Sequence, residues 1–141
     1  MSVMFASADN SDERVSGPRP LKGMRILLAE DSWHLAMVLR QTVELAGATV
    51  TGLAGTLKEA ERLASRYDFD AAVMDLNLHD ELTTPLVKKL AEQNIKVIVI
   101  SGYDMAAELS TARVHACLAK PASGDALIRE LLRPLESSEV T

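Results

Sequence analysis

Short apolar runs alternate along the chain with longer stretches in which apolar residues recur every three or four positions. The short runs have strand length and are largely free of charge, as is typical of strands buried on both faces. They occupy residues 24–29, 48–53, 71–74, 95–100 and 114–119. Five alternations of strand and helix with short connections predict right-handed crossovers. We therefore expect an α/β fold, a three-layer (βα)5 sandwich around a five-stranded parallel sheet.

The stretches between the predicted strands carry helix signals. Ser32 and Thr56 are N-cap candidates, and Gly47 is a candidate stop for the first helix. The segment 104–113 leaves room for only about two helical turns before the last strand. The spacing predicts inward-facing positions at Leu35, Val38 or Leu39, Thr42 and Ala46, at Leu57, Ala60, Leu63 and Ala64, at Leu86, Val87 and Leu90, and at Leu127, Ile128, Leu131, Leu132 and Leu135.

The length and composition fit one soluble domain. At 141 residues, with 48% hydrophobic residues, the chain can bury an aliphatic core. We expect a flexible tail over residues 1–22, a folded domain over 23–136 and a second tail over 137–141. The net charge of −5 lacks the basic patch of a nucleic-acid surface. Neither a membrane-spanning stretch nor a signal peptide is apparent, and the single Cys117 cannot form an internal disulfide, so we expect a cytoplasmic protein.

Four of the predicted strands end in polar residues that suit phosphoryl chemistry. These residues are Glu30 and Asp31, Asp75, Ser101, and Lys120 followed by Pro121. Parallel strands bring such residues to the carboxyl edge of the sheet, where ligands bind in open α/β folds. Three converging carboxylates would repel one another without a cation, and Mg²⁺ prefers oxygen ligands of this kind. Each residue alone also has an ordinary interpretation, as a helix cap, a turn former or a solvated strand end.

The motifs LLAEDS, VMDLNL, VISGY and LAKPAS resemble the signature of receiver domains of two-component response regulators, over about residues 24–136. The resemblance implies a flavodoxin-like fold. It also implies that Asp75 accepts a phosphoryl group from the phosphohistidine of a sensor histidine kinase or a histidine phosphotransfer protein. Asp31 and Asp75 would ligate Mg²⁺, with Glu30 acting through a bound water. The backbone carbonyl of Asn77 would complete the protein's share of the metal site.

The same resemblance assigns the other side of the site. Lys120 would bind the phosphoryl oxygens, Ser101 would move toward them as the switch, and the Lys120–Pro121 peptide bond would be cis. Most receivers carry an aromatic residue three positions before the lysine, where this chain has Cys117. Tyr103 either substitutes for that aromatic switch or lies at the rim of the site.

The main functional hypothesis is a stand-alone receiver that relays its signal through protein contacts or acts as a phosphate sink, and not a multiple-turnover enzyme. The alternative is a pseudo-receiver that binds partners without phosphorylation. A phosphohydrolase would be expected to carry Asp-x-Asp after the first strand, and a nucleotide-binding module would need a glycine-rich turn there. We expect Trp33 at the mouth of the crevice. The three histidines, His34, His79 and His115, are expected to be solvated.

Overall fold

The structure, a computed structural model, describes residues 18–102 and 114–134. In chain order its elements are β1 (Arg25–Ala29), α1 (Trp33–Leu45), β2 (Thr49–Ala54), α2 (Leu57–Arg66), β3 (Ala71–Asp75), β4 (Asn77–Leu78), β5 (Glu81–Leu82), α3 (Thr84–Glu92), β6 (Lys96–Ser101), β7 (Ala116–Ala119) and α4 (Gly124–Leu132). The main sheet is five-stranded and parallel, in the order β2-β1-β3-β6-β7. The predicted α/β architecture is confirmed, with helices on both faces of this sheet.

Alternate residues of the central strands feed two separate cores. In β1, Leu27 packs on the face that α2 and α3 cover, and Leu28 packs on the opposite face beneath α1 and α4. Both side chains are fully buried. Burying an aliphatic side chain of this size contributes about 1.5–3 kcal/mol, so the uninterrupted apolar runs hold the strands in register on both sides. This register also fixes where each strand ends.

The predicted helix caps are confirmed. The Ser32 and Thr56 hydroxyls accept hydrogen bonds from the backbone N–H groups of Leu35 and Glu59, at 3.3 and 3.1 Å. Gly47 follows α1 with a φ of +107°, in the left-handed region that favours glycine.

The predicted inward faces are confirmed for α2 and α3. The last helix buries Leu127 and Leu131 but leaves Leu132 exposed.

The inward face of α1 is confirmed in part, since Leu39 and Ala46 pack against the core as predicted. The helix buries Ala36 and Val43, whereas Leu35 and Val38 are exposed. Apolar residues occupy more than one side of this helix, so periodicity alone allowed two orientations.

The folded domain begins before the expected boundary at residue 23. Leu21 is buried, and its N–H donates to the carbonyl of Ala46 at 2.8 Å. A Cβ at Gly47 would lie 2.9 Å from the Lys22 nitrogen, so this close approach also requires glycine. The segment before β1 is therefore anchored to the end of α1 through Leu21.

A short antiparallel hairpin, β4–β5, follows β3 and was not predicted. Its turn residues His79 and Asp80 have φ values of +50° and +68°, which non-glycine residues rarely adopt. Strands of two residues are too short to show an alternation of apolar and polar residues. The turn also lacks the glycine that usually marks such hairpins, so the sequence did not indicate this one.

Several expectations lie outside the described residues: the tails over 1–17 and 137–141, the short helix over 104–113, Tyr103 and Leu135. Within the described parts of the chain, no helix is both long and apolar enough to cross a membrane.

Candidate functional site

The strand order brings the predicted polar residues to one edge of the sheet. Glu30 directly follows β1, Asp75 is the last residue of β3, and Lys120 directly follows β7. Asp75 pairs with Ile100 of β6, and Ser101 pairs with Ala119 of β7, so these strands end at the same level.

Three carboxylates form an acidic cluster at this edge. One carboxylate oxygen each from Glu30, Asp31 and Asp75 lies within 4.8 Å of the others. Glu30 and Asp75 are buried, whereas Asp31 is partly exposed. Close carboxylates of this kind are a favourable oxygen donor set for a hard divalent cation, and the observed cluster therefore fits Mg²⁺.

Lys120 supplies the opposite charge. Its Nζ donates to Asp75 Oδ2 at 2.6 Å and lies 3.4 Å from Glu30 Oε1. Burial disfavours the ammonium, but the hydrogen bond to Asp75 and the charges of Asp75 and Glu30 outweigh it and raise the pKa of Lys120. Lys120 is therefore a fixed cation beside Asp75. The peptide bond between Lys120 and Pro121 is cis, as the resemblance implied.

Glu30 is held by both its backbone and its side chain. Its N–H donates to the Ala54 carbonyl at 3.0 Å, and Glu30 Oε2 accepts from the Ser32 N–H at 3.0 Å. Burial raises the pKa of Glu30 and the charge of Asp75 adds to this, while the Ser32 N–H and the Lys120 ammonium oppose it. A nearby cation would therefore stabilise its ionised form.

The unpredicted hairpin contacts the acidic cluster. The backbone N–H of His79 donates to Asp31 Oδ2 at 2.9 Å, and this hydrogen bond lowers the pKa of Asp31. The imidazole of His79 is exposed, as expected, with Nδ1 3.9 Å from the same oxygen. The hairpin therefore acts on Asp31 through its backbone.

Asn77 links the hairpin to Asp75. Its N–H donates to Asp75 Oδ1 at 3.1 Å, and its side-chain oxygen accepts from the Asp80 N–H at 2.8 Å. The Asp75 carboxylate thus has one oxygen on Asn77 and the other on Lys120. These two contacts fix its orientation.

Ser101 ends β6 and is buried. Its carbonyl accepts from the Lys120 N–H at 2.8 Å, which joins the two residues through the backbone. Cys117 is exposed on β7, and Trp33 is exposed at the start of α1.

Sequence reasoning missed one buried polar residue next to Asp75. Thr83 is fully buried, and its hydroxyl donates to the carbonyls of Asp75 and Leu76 at 2.9 and 3.1 Å. The only sequence signal at this position is a threonine ahead of Thr84-Pro85, which suggests an ordinary helix start.

A five-stranded parallel sheet with three carboxylates and a lysine at its carboxyl edge defines the protein as an α/β domain with an acidic site where its strands end. The chain matches the sequence model of the response regulator receiver domain over residues 26–132. It therefore belongs to the response regulator receiver domain family.

Comparisons with individual proteins agree with the family. The chain is 32% identical over 120 residues to the C4-dicarboxylate transport transcriptional regulatory protein DctD of Pseudomonas aeruginosa, an alignment that covers 79% of this chain and 25% of the relative. This chain thus spans about a quarter of that relative's length.

Solved receiver domains have the same fold. The CheY-like receiver domain protein of Methanospirillum hungatei JF-1 is 25% identical with a TM-score of 0.71, covering 77% of this chain and 90% of that one. The receiver domain of the Francisella response regulator 1452 is 28% identical with a TM-score of 0.68, covering 78% and 95%.

Proposed function

We propose that the chain accepts a phosphoryl group on Asp75 from a phosphohistidine and changes its protein contacts in response. The observation that carries the proposal is the convergence at Asp75, whose carboxylate contacts the Lys120 ammonium at 2.6 Å and has an oxygen within 4.8 Å of oxygens of Glu30 and Asp31. An ionised, oriented carboxylate beside a fixed cation has the properties of a phosphoryl acceptor.

In the transfer, an Asp75 carboxylate oxygen forms a bond to phosphorus as the phosphorus–nitrogen bond of the phosphohistidine breaks. The bonding electrons stay with the leaving imidazole nitrogen, and the product is an acyl phosphate. Lys120 neutralises charge on the transferred oxygens, and the Asn77 N–H holds the carboxylate in line. Each chain carries one acceptor in this scheme, so the reaction ends with one phosphoryl group per chain.

Mg²⁺ would be held by Asp31, Asp75 and the Asn77 carbonyl, with Glu30 acting through water. When bound, Mg²⁺ supplies electrostatic stabilisation of the phosphoryl oxygens. The residues fit this role because the acidic cluster combines three carboxylates with one lysine, Lys120, which contacts Asp75 and Glu30.

Ser101 is proposed as the switch that senses the new phosphoryl oxygens. A hydrogen bond to a charged group contributes about 1.5–3 kcal/mol. Moving a population from about 1:99 to 99:1 requires about 5.5 kcal/mol. Ser101 must therefore act together with Lys120 or with repacking of a loop.

Receiver domains interact with histidine kinases, and a sensor kinase or a histidine phosphotransfer protein is the proposed phosphodonor. We propose that output passes through protein contacts or that the chain serves as a phosphate sink. Direct nucleic-acid binding is not part of the proposal, given the net charge of −5. A stand-alone, cytoplasmic receiver stays a prediction.

The proposal is tested by incubating the chain with Mg²⁺ and acetyl phosphate and measuring its intact mass. We expect a single phosphoryl adduct on the parent and none on Asp75→Asn. Asp80→Asn, a carboxylate change at an exposed position of the hairpin, is the matched control and should keep the adduct.

Adducts on both the parent and Asp75→Asn would refute the assignment of the acceptor. No adduct on the parent, together with unchanged Trp33 fluorescence on adding Mg²⁺ and beryllofluoride, would favour the pseudo-receiver.

A further inference from the structure

Thr83 makes three hydrogen bonds to the chain segment that contains Asp75. Its N–H donates to the Leu76 carbonyl at 2.8 Å, and its single hydroxyl proton is shared, as a bifurcated bond, between the carbonyls of Asp75 and Leu76 at 2.9 and 3.1 Å. The residue is fully buried. The contacts close the hairpin loop onto the end of β3.

The hydroxyl of Thr83 is directed away from the helix that it precedes. Thr83 is the N-cap residue of α3, yet within the described chain its side chain makes no capping hydrogen bond. The other serine and threonine caps of the described helices, Ser32, Thr56 and Ser123, do accept from the helix backbone. Threonine at an N-cap normally stabilises the helix through its side chain. Here the side chain bonds to the main chain of Asp75 and its neighbour instead.

We propose that Thr83, the N-cap residue of α3, is a positioning residue for Asp75 and ties it to the start of that helix. This inference rests on the proposed role of Asp75 as the phosphoryl acceptor. The Asp75 carboxylate is held by Asn77 and Lys120, and Thr83 holds the backbone carbonyl of the same residue. With both ends fixed, the reacting oxygen is preorganised for in-line attack.

The same contacts connect Asp75 to α3. The Val87 N–H donates to the Thr83 carbonyl at 2.9 Å in the first turn of α3. A displacement of the Asp75 backbone on phosphorylation would therefore move the start of α3 through a single residue.

The experiment compares three single variants with the parent. Thr83→Val keeps the shape and removes the hydroxyl, whereas Thr83→Ser keeps the hydroxyl and removes the methyl group. Thr84→Val is the matched control, because the Thr84 hydroxyl is also buried at the start of α3 but has no hydrogen-bond partner among the described residues. Initial rates of adduct formation are measured by intact mass with saturating Mg²⁺ and acetyl phosphate, on samples whose folding is verified by circular dichroism.

We expect Thr83→Val to slow adduct formation at least about tenfold, because a misplacement of ~1 Å at a reacting group can cost about a hundredfold in rate. Thr83→Ser and Thr84→Val should keep the parent rate. If Thr83 only fills space, the order of the two rates reverses. Thr83→Val would keep the parent rate because valine has the same shape, and Thr83→Ser would be slower because serine leaves a cavity. If Thr83→Val does not fold, Thr83→Ala against Thr83→Ser gives the same test of the hydroxyl.

A parent rate in Thr83→Val would overturn the positioning role, as would equal slowing in Thr83→Val and Thr84→Val. Either result would leave Asp75 as the acceptor. An unlabelled parent would instead overturn the proposed function, and the positioning role with it.

Discussion

Lys96 and Lys120 lie at opposite edges of the main sheet, and their surroundings are chemically opposite. Lys120 follows β7 and has carboxylates as neighbours, with Nζ 2.6 Å from Asp75 Oδ2. Lys96 begins β6 and is buried, with its Nζ donating to the carbonyl of Leu131 in the last turn of α4. Burial lowers the pKa of Lys96 although the charge of Glu130 opposes it, whereas the hydrogen bond and charge of Asp75 and the charge of Glu30 outweigh burial and raise the pKa of Lys120.

The comparison shows that the pKa and the role of a lysine at a strand end depend on the groups around it. Burial alone disfavours the ammonium, and a neutral carbonyl compensates for this less well than two carboxylates do. Lys96 donates to a carbonyl in the last turn of a helix, where carbonyls lack a partner within the helix, and this is a structural task. Lys120 stays charged beside Asp75, which is what phosphoryl binding requires.

The difference between the two lysines is tested most directly by removing the charge of Lys120. We expect Lys120→Met to slow adduct formation from acetyl phosphate by about 10- to 150-fold, because a hydrogen bond to a charged group contributes about 1.5–3 kcal/mol. Intact-mass time courses at saturating Mg²⁺ measure this change. Lys96→Met, with the rate expressed per folded molecule, is the control and should keep the parent rate. Equal slowing in both variants would mean that the two lysines do not differ in the way proposed.

The sheet and the location of the site could be predicted because buried parallel strands have a simple signature. Uninterrupted apolar runs placed each strand to within two residues, and β7 shows the largest difference, beginning at Ala116 instead of residue 114. Parallel strands share one carboxyl edge, so Asp75 and Lys120 were expected together from chain position alone. The structure brings them into contact.

The remaining features depend on contacts between residues that are distant in sequence or on elements too short to show a period. The turn of the hairpin places His79 and Asp80 at positive φ. Because neither residue is a glycine, the sequence does not indicate this turn. Thr83 has the sequence context of a helix cap but bonds elsewhere. His115 was expected to be solvated, and this prediction is wrong: its side chain is 4% exposed and lies 3.8 Å from Glu130 of α4. A single histidine beside a strand carries no signal of its burial.

The structural role of Lys96 can be tested separately through stability. We expect Lys96→Met to lower the free energy of unfolding by about 1–3 kcal/mol, since the Leu131 carbonyl would lose its buried donor. Urea unfolding followed by circular dichroism measures this change. Lys88→Met, at an exposed position of α3, is the matched control and should differ little from the parent. An unchanged unfolding midpoint in Lys96→Met would show that the contact with Leu131 does not stabilise the fold.

The smallest expected effect concerns His115, which lies close to Lys96 at the same edge. Burial lowers the pKa of His115, and the charges of Lys96 and Arg133 add to this, while Glu130 opposes it through its backbone and its carboxylate. The His115 Nε2 lies 3.8 Å from Glu130 Oε1 and has no hydrogen-bond partner among the described residues. The imidazole is therefore neutral in the folded chain at neutral pH.

This placement predicts how stability changes with pH. Below the ordinary pKa of 6.5 the unfolded chain binds a proton at His115 that the folded chain does not, until the pH reaches the lower folded pKa. The contribution is thus fully present above about pH 6.5 and is lost as the pH falls, by at most ~1.4 kcal/mol per pH unit. Urea unfolding at several pH values should show a shallower pH dependence for His115→Gln than for the parent. His34→Gln, at an exposed position of α1, should retain the parent's dependence. If the unfolding free energy depends equally on pH in the parent and in His115→Gln, burial at this edge does not disfavour the charged imidazole. The contrast between the two lysines would then overstate the effect of burial.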